Sequence, residues 1–270
     1  MPVLTRRGAL AALAAPGLLP EGRAAAQPAP PALVLVHGAW MGAAAWTETA
    51  ALLRAAGREV LTPELPAHGA DPTPAEGMTL ARYVEAVIAA IGDRPRVVLV
   101  GHSFGGVVVS AVAEAVPERV ARLVYVAGYV PRSGESAYTL SRRDPESLVG
   151  RHWRPADPAA NTPAWIAAQG LVETFCADCP DAAAAALVAT HRAEPVPPLG
   201  TPVRLTPERL GAIPKGYVLT AADRTITPAL QRAMLAAAGI TEVAELPTSP
   251  APMLSAPAPL AAALLRLADG

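Results

Sequence analysis

Cysteine, aromatic side chains and surplus charge are all scarce in this chain of 270 residues. With 22 basic and 23 acidic residues the net charge is −1, and no basic patch indicates a nucleic-acid partner. No apolar run is long enough to span a membrane. The only cysteines, Cys176 and Cys179, have no further ligands nearby with which to form a zinc site. The sequence does not imply an organic cofactor. What remains is a chain with 52% hydrophobic residues, enough for a sizeable core.

The N-terminus has the pattern of an export signal. Thr5-Arg6-Arg7 precedes a short apolar run, Gly8–Ala15, and the small residues Ala24-Ala25-Ala26 stand before Gln27. A charged start, an apolar middle and a small-residue end are typical of a signal peptide. We predict a signal peptide over 1–26, of the twin-arginine type, and export to the periplasm. A disordered alanine-rich tail is the alternative.

The two cysteines form a C-x-x-C pattern, which in an exported protein could close as a local disulfide. A redox C-x-x-C normally begins a helix after a strand, and the surrounding Asp178-Cys179-Pro180-Asp181 does not show that. We interpret both cysteines as structural, either paired or free.

The strongest motif is Gly101-His102-Ser103-Phe104-Gly105. The apolar residues Val97–Val100 before it predict a buried strand, and the apolar run after it predicts a helix. Small residues two positions before and after Ser103 let strand and helix approach closely around a strained nucleophile. Ser103 would then lie at a helix N-terminus, where the helix dipole favours negative charge.

A second loop, His37-Gly38-Ala39-Trp40, directly follows the first predicted strand. Small residues there can aim backbone N–H groups at a developing oxyanion. The candidate donors are the amides of Ala39 and of Phe104, the residue after the nucleophile. An ordinary strand-to-helix turn is the alternative for this loop.

Strands and helices alternate along the chain, which predicts an α/β fold with a mostly parallel sheet and helices on both faces. The predicted core comprises 27–127 and 215–270. Between them, 128–214 lacks strand signals and predicts an inserted helical cap. The predicted strands are Ala32–Val36, Glu59–Pro63, Val97–Val100, Leu123–Ala127, Gly216–Thr220 and Glu242–Leu246, and the predicted helices include Trp46–Ala56, Leu80–Ile91, Ala182–Thr190, Pro228–Ala238 and Pro259–Leu267.

Together these motifs resemble one branch of the α/β-hydrolase fold, that of plant methylesterases, hydroxynitrile lyases and their bacterial esterase-like relatives. The stretches Phe175–Cys179 and Tyr217–Asp223 also resemble that branch. The resemblance runs from about Leu33 to the C-terminus. It implies Ser103 as nucleophile, Asp223 as the acid that orients a histidine, and the Ala39 and Phe104 amides as the oxyanion hole.

The sequence departs from that branch at the base. Relatives carry a histidine in the loop after the last strand, and here Pro250 occupies its place. No histidine follows Asp223. A serine hydroxyl is a poor nucleophile without a base, and proline accepts no proton. The five histidines all lie earlier; His68, at the same edge of the sheet, is the first alternative base, followed by His152 and His191 in the predicted cap.

Three hypotheses follow. The first is a serine hydrolase that acts on small esters through Ser103, with weak or absent turnover because of Pro250. The second is a catalytically impaired hydrolase fold that binds a small apolar ligand in a pocket lined by the cap, Trp40 and Phe104. The third is a hydroxynitrile lyase-like enzyme. Members of this branch with that activity use a histidine and a neighbouring lysine, and here Ala251 stands at the lysine position. The implied partner is a small ester or apolar molecule.

Overall fold

The computed structural model describes residue 1, residues 29–155 and residues 163–270. The predicted signal peptide therefore lies, apart from Met1, outside the described residues. In the described ranges, no helix is both long and apolar enough to cross a bilayer.

A six-stranded sheet forms the centre of the molecule, and every neighbouring pair of its strands is parallel. Its order is β2-β1-β3-β4-β7-β8, which confirms the predicted parallel α/β architecture. The chain therefore starts one strand in from an edge, adds β2 at that edge and then builds toward the opposite edge. The strands are β1 (Ala32–Val36), β2 (Val60–Leu61), β3 (Val97–His102), β4 (Val120–Val126), β7 (Lys215–Thr220) and β8 (Glu242–Leu246).

Five long helices cover this sheet: α1 (Thr47–Ala55), α2 (Leu80–Ile91), α3 (Gly105–Ala115), α9 (Pro228–Ala238) and α11 (Pro257–Asp269). Helix α2 packs on α3, and α1 packs on α11, which also contacts β4, β7 and β8. The apolar residues of β1 and β3 are completely buried between these helices. The core therefore fixes the carboxyl ends of β1 and β3, from which both predicted site loops emerge.

The chain between β4 and β7 contains α4 (Ala137–Ser141), α5 (Val149–His152), α6 (Ala168–Phe175), α7 (Asp181–Thr190) and α8 (Val196–Gly200). It also contains a small antiparallel pair, β5 (Trp153–Pro155) and β6 (Ala164–Ile166), that the sequence did not predict. Strands of three residues are too short for an alternating pattern to identify them. A short helix, α10 (Pro252–Ser255), precedes α11.

Candidate functional site

Ser103 lies at the sharp turn between β3 and α3, as the motif predicts. Its φ of 51° is in the left-handed region, which is costly for a residue other than glycine. Hydrogen bonds on both sides hold this conformation, because the Ser103 N–H donates to Val126 O at 3.2 Å and its carbonyl accepts from the Tyr129 N–H at 3.1 Å. Ser103 is partly exposed. The turn therefore presents its hydroxyl above the sheet, at the start of a helix.

The glycines around Ser103 are required by close backbone contacts. A Cβ on Gly101 would lie 2.6 Å from the carbonyl oxygen of Gly105, and one on Gly105 would lie 2.6 Å from that of His37. Gly38 in the preceding loop is equally constrained, because a Cβ there would lie 2.8 Å from Ser103 Cβ. The loop after β1 therefore lies directly against the candidate nucleophile, where an oxyanion loop must be.

The two predicted oxyanion donors flank this contact. Ala39 follows Gly38, and Phe104 follows Ser103; both residues are buried. Within the described part of the chain, neither backbone N–H has a hydrogen-bond partner. Both amides thus remain free to donate to an anion. Their role as an oxyanion hole stays a prediction.

The aromatic side chains near this loop pack inward. Phe104 is 1% exposed and lies 6.1 Å from Tyr83, ring centre to ring centre. Trp40 is 6% exposed and packs against Trp153 and Phe175, at 5.6 and 5.8 Å. The expected pocket lined by Trp40 and Phe104 is therefore wrong for Phe104, whose ring belongs to the core.

Asp223 follows β7 and is buried, at 4% exposure. One carboxylate oxygen accepts the backbone N–H groups of Thr225 and Ile226, at 2.7 and 2.8 Å. The other accepts the Thr220 hydroxyl at 2.8 Å and the Gln231 amide at 3.0 Å. Burial raises the pKa of Asp223 to about 7, against the opposing effect of these donors. Asp223 thus caps the following turn from a buried position.

Pro250 lies in the loop after β8. Hydrogen bonds hold this loop next to Asp223 and Ser103. The Ala222 N–H, adjacent to Asp223, donates to Thr248 O at 3.0 Å. On the other side, Nε2 of His102 donates to Pro250 O at 2.8 Å. The loop that carries Pro250 is therefore held by the neighbour of Asp223 on one side and the neighbour of Ser103 on the other.

All five histidines have ring nitrogens engaged by other residues, and no described residue accepts a hydrogen bond from Ser103 Oγ. His37 donates from Nδ1 to Gly38 O and accepts the Leu65 N–H at Nε2. His102 is buried, which lowers its pKa to about 4. His152 contacts Glu173 at 3.0 Å, and His191 contacts Val188 O at 2.8 Å. His37 and His102 are both buried and hydrogen-bonded.

The alternative base, His68, is 1% exposed, and both of its ring nitrogens face acceptors. Nδ1 lies 3.0 Å from Pro66 O, and Nε2 lies 2.8 Å from Oε2 of Glu194. Neither nitrogen has a lone pair directed toward Ser103 while these bonds hold. Sequence reasoning missed Glu194, which no motif marks and which is completely buried.

Cys176 and Cys179 form a disulfide, which resolves the question left open by the sequence. The short loop they close follows α6 and contacts the loop that carries Pro250. Asp178, within the loop, accepts the Ser249 N–H at 2.9 Å, and Phe175 O accepts the Ser249 hydroxyl at 3.3 Å. The disulfide thus stiffens a segment that braces the loop carrying Pro250.

A cavity of about 400 Å³ opens elsewhere, between α4 and α9. Its floor includes Leu140, Leu230 and Met234, and its rim includes Arg132 and Arg143. Both arginines pair with Glu135. None of its lining residues belongs to the candidate catalytic set, so this cavity gives no support to a site at Ser103.

Comparison with known proteins identifies the family to which this chain is similar. The profile of the "Alpha/beta hydrolase family" matches residues 33–263. Esterase PIR7B of Oryza sativa subsp. japonica is 30% identical over 256 residues, covering 87% of this chain and 95% of that protein. The carbendazim hydrolyzing esterase of Nocardioides sp. is 40% identical over 110 residues, which cover 40% of this chain and 46% of that esterase. A pyrethroid hydrolase structure from Sphingobium faniae matches with a TM-score of 0.77 and 26% identity, over 89% of this chain and 98% of that one.

Proposed function

Because the chain belongs to the alpha/beta hydrolase family, we propose that it is an esterase-like serine hydrolase for small esters, with Ser103 as nucleophile and weak turnover. The observation that carries this proposal is the left-handed backbone of Ser103 at the junction of β3 and α3. Strain of this kind persists only where the surrounding structure enforces it, and it clusters at reactive sites. The esterase relatives support the substrate class.

In the proposed reaction, Ser103 Oγ attacks the ester carbonyl carbon and its proton leaves. The carbonyl oxygen becomes an oxyanion that the free amides of Ala39 and Phe104 stabilise. Collapse of this intermediate expels the alcohol and leaves an acyl group on Ser103, which water then hydrolyses. Stabilising the oxyanion requires only backbone N–H groups, but the proton that leaves Ser103 Oγ requires a proton acceptor.

The proton acceptor is where the arrangement is weak. Position 250 offers a proline, and Asp223 has all four of its acceptor positions occupied by local donors. With no positioned base, solvent water accepts the proton. Loss of a triad member lowers turnover by orders of magnitude and leaves the contribution of the oxyanion hole and binding.

The same arrangement favours a second candidate, a hydrolase-fold protein that binds a small apolar ligand without turning it over. Asp223 is fully satisfied without a histidine, and all five imidazoles have other partners. Ester binding without hydrolysis would be the result if solvent cannot replace the base.

Hydrolysis of p-nitrophenyl acetate and butyrate distinguishes the two candidates. We expect slow turnover that Ser103→Ala abolishes, together with covalent labelling of Ser103 by a fluorophosphonate. Protein that binds butyrate esters but is neither labelled nor active would support the binding candidate and refute the hydrolase.

We also propose that residues 1–26 direct export to the periplasm. The Cys176–Cys179 disulfide supports this proposal, because such bonds persist mainly in oxidising compartments. N-terminal sequencing of the protein recovered from a bacterial periplasm should begin near Gln27. An uncleaved chain retained in the cytoplasm would contradict it.

A further inference from the structure

The buried carboxylate of Glu194 joins the chain between α7 and α8 to the loop after β1. Its Oε2 accepts the Trp40 backbone N–H at 2.8 Å and Nε2 of His68 at 2.8 Å. The Glu194 backbone pairs with Ala164 in both directions, at 2.8 and 2.9 Å. Ala164 O in turn accepts the Trp40 indole N–H at 3.0 Å. Two paired residues of the segment between β4 and β7 thus hold both N–H groups of Trp40.

Backbone strain lies on both sides of this carboxylate. Trp40 has a φ of 60° and Ala67, the residue before His68, has a φ of 66°. Each such residue costs on the order of 1 kcal/mol and needs neighbours that enforce the conformation. For Trp40 the enforcing contact is the charged acceptor Glu194, since hydrogen bonds to ionised groups are about twice as strong as neutral ones.

His68 completes the arrangement as a cation. With Pro66 O and a Glu194 carboxylate oxygen both as acceptors, the imidazolium donates to each of them. Burial alone lowers the pKa of His68, but the charge and hydrogen bond of Glu194 outweigh it and the pKa is raised. The other groups that face this ring are His37 at 5.0 Å and Tyr83 at 5.4 Å, centre to centre, and the Glu64 carboxylate.

We propose that Glu194 is a positioning residue that fixes the oxyanion loop: it holds the Trp40 amide, and so the adjacent Ala39 amide, in place over Ser103. This inference rests on the proposed function, because it assigns Glu194 a part in the same acyl-transfer site. The contact with His68 Nε2 at 2.8 Å orients the carboxylate. Glu194 itself does not touch the reacting atoms.

Three variants separate positioning from charge and from general stability. Glu194→Ala removes both accepted hydrogen bonds. Glu194→Gln keeps one side-chain oxygen, which can accept from Trp40 and His68 as Oε2 does. The amide NH₂ then replaces Oε1, an atom that has no hydrogen-bond partner in the described ranges. Glu173→Ala is the matched control, since it breaks another glutamate–histidine contact of the same segment, with His152 at 3.0 Å.

The kinetic readout is the second-order rate of Ser103 labelling by a fluorophosphonate, whose phosphoryl oxygen needs the same donors. Misplacing an oxyanion donor costs on the order of 10²-fold. We expect at least a tenfold loss in Glu194→Ala, less than threefold in Glu194→Gln, and none in Glu173→Ala. Glu194→Ala labelled at the parent rate would overturn the inference.

NMR gives a readout that does not depend on reactivity. In Glu194→Ala and Glu194→Gln the His68 pKa should fall, while the Trp40 amide resonance should shift upfield only in Glu194→Ala. If the parent chain is not labelled at all, the proposed function fails, and these resonances decide the inference alone. A Trp40 amide unchanged in a folded Glu194→Ala protein refutes it in either case.

Discussion

Replacing Pro250 with histidine should convert this scaffold into a faster esterase. The carbonyl of residue 250, which accepts Nε2 of His102 at 2.8 Å, is kept by the substitution. Proline has no backbone N–H, so no donor is lost either. The loop anchor therefore survives, and the new imidazole emerges between the Asp223 turn and Ser103.

The expected gain is limited by Asp223. A positioned general base contributes about 10²–10⁴-fold. A carboxylate offers about four acceptor positions, and Thr220, Thr225, Ile226 and Gln231 already fill those of Asp223. The introduced ring would thus lack its full orienting partner. We expect about 10²-fold in kcat, equivalent to about 3 kcal/mol.

Freeing one acceptor position should add to this gain. In the Pro250→His background, Thr220→Val removes the hydroxyl that donates to Asp223 at 2.8 Å and keeps the side-chain shape. We expect about a further tenfold increase in kcat as the new imidazole becomes oriented.

The assay is p-nitrophenyl butyrate hydrolysis across pH. Pro250→Ala is the control for removing proline without adding a base, and Ser103→Ala in the Pro250→His background must abolish the gain. Turnover should rise with pH through an apparent pKa near that of an imidazole. Equal gains in Pro250→Ala and Pro250→His, or no gain in a folded protein with labelled Ser103, would refute the reasoning.

Three further predictions concern stability. The pKa of His102 in the folded protein is about 4, below its ordinary 6.5, so the stability that its neutral form provides is present above pH 6.5 and lost as pH falls toward 4. In urea unfolding, His102→Gln should abolish this loss, which amounts to about 3 kcal/mol of unfolding free energy. The raised pKa of Asp223 acts oppositely, since stability is lost as pH rises from 3.8 through about 7, and Asp223→Asn should abolish that loss in the same titration. Replacing Cys176 and Cys179 with serine should cost about 2 kcal/mol and lower Tm by about 4–8 °C in calorimetry; an unchanged Tm would contradict the bracing role.

Local signals predicted much of the fold. Thr79 caps α2 through the Arg82 N–H, and the predicted bounds of α9 and β8 agree with the structure. These elements are decided by short-range patterns of apolar residues and by capping side chains. The Ser103 turn belongs to the same class, because its glycines are needed within five residues of chain.

Contacts between different elements are beyond such signals. Glu194 is buried because it meets Trp40 and His68, which precede it by 154 and 126 residues. Gln231 satisfies Asp223 from the next helix, and nothing in its own surroundings marks it. Both residues are polar groups whose partners exist only in the folded chain, so no sequence pattern identifies them.

The turn that presents Ser103 and the loop that carries Pro250 are separate parts of this fold. Residues other than glycine with positive φ are Trp40, Ala67, Ser103 and Ala127 in the described ranges, and each lies in or beside the candidate site. At Ser103 the hydrogen bonds to Val126 and Tyr129 hold this conformation without any contribution from position 250. At position 250, by contrast, the contact with His102 Nε2 uses the backbone carbonyl, which every side chain leaves in place. We therefore expect a substitution at position 250 to change turnover while Ser103 and the loop after β1 keep their arrangement.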